Sequence, residues 1–149
     1  MSDFIKNKAL KIDKIYTSPA LRTLQSAEIL SAVCKKDFET LYELNAVKQG
    51  IWSGMTFDEI EQKYPEMLDD YHKNPESFAP PGGESPIDYN KRILNVINKI
   101  IEQNVSKRII IVTHSDVIKT CIASVLEIPL KNRNKIYIPT GSTSQISFY

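Results

Sequence analysis

Arg108-Ile109-Ile110-Ile111-Val112-Thr113-His114-Ser115-Asp116 carries four β-branched apolar residues in a row with no polar alternation. Such a run reads as a strand buried on both faces, the kind found in a parallel α/β sheet. The strand ends at His114, and the apolar positions behind it (Val117, Ile118, Cys121, Ile122, Val125, Leu126) fall at helical spacing. A histidine at the carboxyl end of a buried strand, just before a helix, stands where open α/β sheets hold ligands. The same histidine can equally be a satisfied strand-end cap, and the stretch by itself does not choose.

Working outward, Ser85-Pro86-Ile87-Asp88 is a helix start, with serine as N-cap and proline in the first turn, and Ile93, Leu94, Ile97, Ile100 and Ile101 follow on one side. Asn104 to Lys107 turns that helix into the strand. Nearer the amino end, Lys11 to Thr17 alternates as a strand, and Ser18-Pro19 repeats the cap-plus-proline signal for a helix running to about Val33. Its apolar positions are Leu21, Leu24, Ala27 and Leu30, which places Arg22 in the first turn, close to the end of the preceding strand. A short strand over Phe38 to Leu41 comes next, with Glu43 directly after it, in a segment closed by Gly50 and Gly54.

Thr56-Phe57-Asp58-Glu59 fits a capping box for a helix that stops before Pro65. From Tyr64 to Pro81 the chain makes a long polar excursion, readable as a lid or as a solvated connection. Lys135 to Ile138 and Ser144 to Tyr149 read as two final strands, and Met1 to Leu10 as the tail of a helix. The element order implies an α/β fold, a three-layer α/β/α sandwich with a mixed sheet.

The totals suit one domain over 1–149: 149 residues, 42% hydrophobic and 25% charged. A net charge of +1 with dispersed lysines gives no argument for nucleic acid. No apolar run approaches spanning length and the first residues lack the form of a signal peptide, so neither membrane nor export is expected and the expected location is cytoplasmic. The two cysteines, Cys34 and Cys121, fall in helical patterns as small apolar residues, which suits a reducing compartment. With two histidines, His72 and His114, and no Cys-x-x-Cys pair, the sequence predicts no metal and no cofactor.

Arg22, Glu43 and His114 each stand at or just beyond a strand end. Arginine offers a planar fork for phosphate oxygens, histidine donates to the same oxygens or exchanges a proton, and a carboxylic acid protonates a departing alkoxide. Together they describe an anionic ester site. Singly they read as a solvated first-turn side chain, a loop carboxylate and a strand cap.

Four stretches, in order, decide between these readings: Tyr16-Thr17-Ser18-Pro19-Ala20-Leu21-Arg22-Thr23-Leu24-Gln25-Ser26-Ala27; Leu41-Tyr42-Glu43-Leu44-Asn45 with Gly50-Ile51-Trp52-Ser53-Gly54-Met55-Thr56; Pro81-Gly82-Gly83-Glu84-Ser85; and Val112-Thr113-His114-Ser115. They resemble successive motifs of the histidine phosphatase superfamily, the phosphoglycerate mutase-like phosphatases, and cover the chain almost end to end. The resemblance implies a phosphomonoesterase or mutase that handles a phosphate monoester. It implies that Arg22 is a phosphate-pocket arginine and Glu43 the acid serving the leaving group. His114 would be the second active-site histidine, which binds the transferred phosphoryl group, and the backbone of Ser115 would lie beside the substrate. Glu84 and Ser85 take structural parts, as loop closure and helix cap. Ala46 to Gln49 are extra residues relative to the usual spacing after the acid.

The family's nucleophile is a different histidine, in an Arg-His-Gly triplet at the end of a first strand. No such triplet occurs in these residues. The chain reads as starting where the family's first helix ends, so the expectation is an N-terminally incomplete domain, missing the first strand and one pocket arginine. His72, in Tyr71-His72-Lys73, has neither the arginine nor the glycine and reads as a solvated loop residue. Phosphoryl transfer through histidine needs a nitrogen in line with phosphorus, so this chain is expected to be inactive. It would still hold a phosphate ester or inorganic phosphate through Arg22 and His114.

The alternative is a short non-catalytic paralogue that binds a phosphoester or a protein. A serine hydrolase using Ser18 or Ser115 is a further reading, but neither lies in a Gly-x-Ser-x-Gly elbow. Substrate choice falls to the Tyr64 to Pro81 excursion, and a homo-oligomer is left open.

Overall fold

A computed structural model describes residues 10–148. The helical tail expected over Met1 to Leu10 lies outside them, apart from Leu10. Three strands form the sheet among the described residues: β1 (Lys14–Thr17), β2 (Phe38–Thr40) and β3 (Ile109–Val112). They are ordered β2-β1-β3 and both pairings are parallel. The helices are α1 (Leu21–Cys34), α2 (Phe57–Lys63), α3 (Pro65–Lys73), α4 (Pro86–Gln103) and α5 (Ser115–Val125). None is long and apolar enough to cross a membrane.

Alternation along the strands sends successive side chains into two separate cores. Ile15, Ile110 and Val112 face Ala27 and Leu30 of α1. Tyr16, Ile109 and Ile111 face Tyr89, Ile93, Val96 and Ile100 of α4 and Val117 of α5. Helices therefore cover both faces, which makes the three-layer α/β/α arrangement that the buried run implies. Cys34 and Cys121 are free and partly buried, each at the edge of one of these cores.

Several sequence expectations need correction. β3 is apolar on both faces, yet it is one of the two edge strands among the described residues, and Ile109, Ile110 and Ile111 keep intermediate exposure. No strand forms at Lys135 to Ile138 or over the described part of Ser144 to Tyr149, so the sheet is parallel rather than mixed. A 3₁₀ turn, Leu130–Lys135, leads instead into irregular chain in which Tyr137 is 83% exposed. α1 begins at Leu21, with Ala20 rather than Ser18 at its N-cap and Leu21 itself exposed.

The polar excursion also proves to be structured. Pro65 opens α3, which packs Leu68 with Trp52 and Ile60 in a small core of its own; Phe78 stacks on Trp52 with ring centres 5.1 Å apart. The neck of this helical hairpin is closed by an isolated antiparallel bridge between Gln49 and Gly83 and by Ile51 N–H donating to Pro81 O. Gly50 sits in that neck at φ +54°, where a Cβ would lie 2.1 Å from Pro81 O. The Thr56–Glu59 capping box and the Ser85–Pro86 start of α4 form as the sequence predicts.

Candidate functional site

Parallel pairing sets the register so that Thr17 lies level with Thr40 on one side and Val112 on the other. The three strands thus end along one edge of the sheet. Arg22, Glu43 and His114 follow β1, β2 and β3 respectively, and so leave from that common edge.

His114 and Arg22 meet directly. His114 is 8% exposed, with Nδ1 2.8 Å from Arg22 Nη2 and Nε2 2.8 Å from Ser18 Oγ. Ser18 Oγ lies 2.7 Å from Thr23 Oγ1, whose hydroxyl has the carbonyls of Ala20 and Ser18 within 2.7 and 3.0 Å. Arginine has donors and no acceptor, so Nδ1 must accept from it. The ring proton therefore sits on Nε2 and is donated to Ser18, which donates on to Thr23, which donates to backbone carbonyl. Burial, and secondly the positive charge of Arg22, hold the imidazole below its ordinary basicity, while Asp116 acts the other way.

This order of protons bears on the hydrolase reading. A serine nucleophile needs a histidine nitrogen with a free lone pair facing its hydroxyl and a carboxylate behind the ring. Here the nitrogen facing Ser18 carries the proton, and behind the ring stands a guanidinium. The pair is the wrong way round for acyl transfer, and Ser115 is exposed at the first position of α5.

Glu43 lies in a 3₁₀ turn, Tyr42–Leu44, and is exposed. Its turn is fastened at two places. Thr113 Oγ1 donates to Leu44 O at 2.8 Å, which ties the turn to the residue before His114. Arg92, on α4, donates through Nη1 to the carbonyls of Glu43 and Asn45 and through Nη2 to that of Ala46, while Nε and Nη2 grip the Glu84 carboxylate. Glu84 Oε1 in turn accepts from Lys48 N–H at 2.9 Å. The extra residues Ala46 to Gln49 are thus folded against the Gly82-Gly83-Glu84 loop.

Ser115 opens α5, whose N-cap is His114 and whose first turn has no side-chain cap. Its leading N–H groups favour negative charge, opposed locally by Asp116. His72 is exposed in the last turn of α3, beside Tyr71. Sequence reasoning placed Arg22, Glu43, His114 and Ser115 at one edge but missed Ser18 and Thr23 as partners of His114, and Arg92 and Thr113 as fasteners of the acid's turn. The Ser-Pro signal masked Ser18, and nothing local distinguishes Arg92 from the other polar residues of α4.

The family model of the histidine phosphatase superfamily (branch 1) matches residues 4–149. The chain belongs to that superfamily. Among curated relatives, it is 28% identical to the 6-phosphofructo-2-kinase/fructose-2,6-bisphosphatase of Caenorhabditis elegans over 99% of this chain and 31% of that protein. It is 28% identical to phosphoserine phosphatase 1 of Hydrogenobacter thermophilus over 80% of this chain and 56% of that protein. Among solved structures, Bacillus stearothermophilus YhfR is 30% identical with a TM-score of 0.75, covering 89% of this chain and 64% of that one. The α-ribazole phosphatase of Shigella flexneri shares the fold at 19% identity and a TM-score of 0.80, over 90% of this chain and 66% of that one. The chain thus spans less than two thirds of the length of each of these relatives.

Proposed function

We propose that these residues form the phosphate-holding part of a phosphomonoesterase or mutase site. Arg22 and His114 grip the phosphoryl oxygens, the backbone of Ser115 lies alongside, and Glu43 faces the leaving group as its acid. The 149-residue chain by itself binds a phosphate monoester without turning it over.

The observation that carries this reading is the direct contact of the Arg22 guanidinium with His114 Nδ1 at the common strand edge. The permanently charged guanidinium stands there beside the N-terminus of α5, and the imidazole it touches becomes a second donor once Nδ1 is protonated. Covalent transfer requires one more group, a nitrogen free to attack phosphorus in line. Both His114 nitrogens are engaged, and the other histidine is the exposed His72. Three of the relatives named above carry phosphatase names for unlike esters, so the substrate is assigned by class alone, as a phosphate monoester.

The test is phosphate release from an aryl phosphate by the purified chain, with His114→Ala run beside it. No release from either protein, together with phosphate binding by the parent, is the expected outcome. Release that disappears in His114→Ala would show that these residues carry out the chemistry themselves.

A further inference from the structure

Deepening the phosphate-site reading on which it rests, we propose that the Thr23–Ser18 hydroxyl pair fixes which nitrogen of His114 is open to ligand, so that oxyanion binding draws one proton onto Nδ1. Ser18 and Thr23 are positioning residues here: they act through His114 and do not touch the ligand.

The geometry leaves few choices. Thr23 directs its hydroxyl proton to backbone carbonyl, so its oxygen accepts from Ser18, and the Ser18 oxygen is left to accept from His114. Ser18 is fully buried and Thr23 nearly so, which keeps competing water away from this chain of donors. Nε2–H is therefore committed to Ser18, and Nδ1 is the nitrogen that can meet an anion. In the structure it meets Arg22 instead, as an acceptor at 2.8 Å.

An anionic oxygen cannot bond a nitrogen lone pair. For His114 to hold a phosphoryl oxygen, the guanidinium must swing from Nδ1 to the anion and Nδ1 must gain a proton. The balance is simple: a neutral imidazole, a proton from solvent and the anion become an imidazolium donating to the anion, and one arginine hydrogen bond changes acceptor. No heavy-atom bond forms or breaks.

The groups acting on the ring are Arg22 from α1 and Asp116 from α5, together with the Ser18 hydroxyl from the β1–α1 turn. With the anion bound, the Arg22 charge that disfavours the imidazolium is neutralised, and Asp116 already favours it. Burial and Arg22 favour the neutral form of the free ring, so a proton found on Nδ1 in the complex is one taken up on binding.

Sulfate is the probe, because it carries no proton of its own near neutral pH. Calorimetry at pH 7.5 in two buffers of different ionisation enthalpy counts protons, and the expected count is about one taken up per sulfate bound. Sulfate binding with buffer-independent heat would overturn the proposal while leaving the phosphate-site reading intact. An absence of any sulfate or phosphate binding would overturn both.

An independent readout needs no ligand. The ¹⁵N spectrum of His114, assigned with a His72→Gln variant, should show a neutral ring protonated at Nε2. A ring protonated at Nδ1, or charged at pH 7.5, refutes the positioning role whatever binds. Arg22 also holds Nδ1 as an acceptor, so the part of the hydroxyl is read with that donor removed: in Arg22→Met the ring should keep its proton on Nε2, and in Arg22→Met/Ser18→Ala the tautomers should mix. Arg22→Met/Ser18→Thr keeps a hydroxyl and should restore Nε2–H; an unchanged Nε2–H ring in the folded Arg22→Met/Ser18→Ala variant would contradict the assignment. With Arg22 present, Ser18→Ala should lower sulfate affinity roughly tenfold.

Discussion

Replacing Arg92 with methionine keeps the apolar stem and removes every donor that α4 supplies to the Glu43 turn, leaving that of Thr113. The side chains of Arg92 and Glu84 are 20% and 12% exposed, so the pair is largely withdrawn from water. The guanidinium holds the carboxylate through Nε and Nη2, and its loss leaves Glu84 charged with Lys48 N–H as its remaining partner. Breaking one side of a buried pair costs about 3–5 kcal/mol, and the residual solvent exposure argues for the lower end, about 3 kcal/mol. That is a factor of roughly 150 in the folding equilibrium. With a urea slope of about 2 kcal/mol/M, the unfolding midpoint should fall by about 1.5 M.

The carbonyls of Glu43, Asn45 and Ala46 are near enough to solvent to find water, so most of the loss belongs to Glu84. A double-mutant cycle with Glu84→Gln should accordingly return a coupling of at least about 1.5 kcal/mol. A midpoint shift below about 0.3 M, or a coupling near zero, would refute the idea that this pair holds the turn.

Two further perturbations test other parts of the account. His114 is held below its ordinary basicity in the fold, so the unfolded chain binds its proton more readily. The stability this group contributes is therefore present above about pH 6.5 and is lost as pH falls toward 5. Urea titrations between pH 7.5 and 5 should show that decline in the parent, reduced in His114→Gln; identical slopes would contradict the buried neutral ring. At the neck of the hairpin, Gly50→Ala should cost at least about 2 kcal/mol, because φ is +54° and the new Cβ meets Pro81 O. Gly54→Ala, at φ +78° with nothing within 4 Å, should cost only about 1 kcal/mol, and equal losses would show that crowding at the neck does not matter.

What the sequence made legible was local or strongly periodic. The run Ile109 to Val112 marks a strand between helical layers because its neighbours in sequence already declare both faces apolar. Thr56 with Glu59, and Ser85 with Pro86, declare helix starts through partners three residues away. Ser18 looked the same, but its hydroxyl is claimed by His114, 96 residues on, and a contact of that span leaves no local trace.

Arg92 was hidden for a similar reason, being one polar residue on an amphipathic helix whose partners lie 8 to 49 residues away. Lys135 to Ile138 alternates as a strand should, but alternation specifies a face and not a neighbour, and no described strand offers it a ladder. α3 is obscured by the polarity of the excursion, although Pro65 stands at a first helical position and Leu68 follows one turn on.

The central claim is that Arg22 and His114 together make an oxyanion site. Its most direct test is the melting temperature of the purified chain against rising inorganic phosphate, in the parent and in Arg22→Ala. Binding to the folded state alone raises stability by mass action, so at a hundredfold excess over the dissociation constant the gain is about 2.7 kcal/mol, several degrees for a chain of this size. The account predicts a phosphate-dependent rise in the parent and none in Arg22→Ala. A parent that does not respond, or a variant that responds equally, would contradict it.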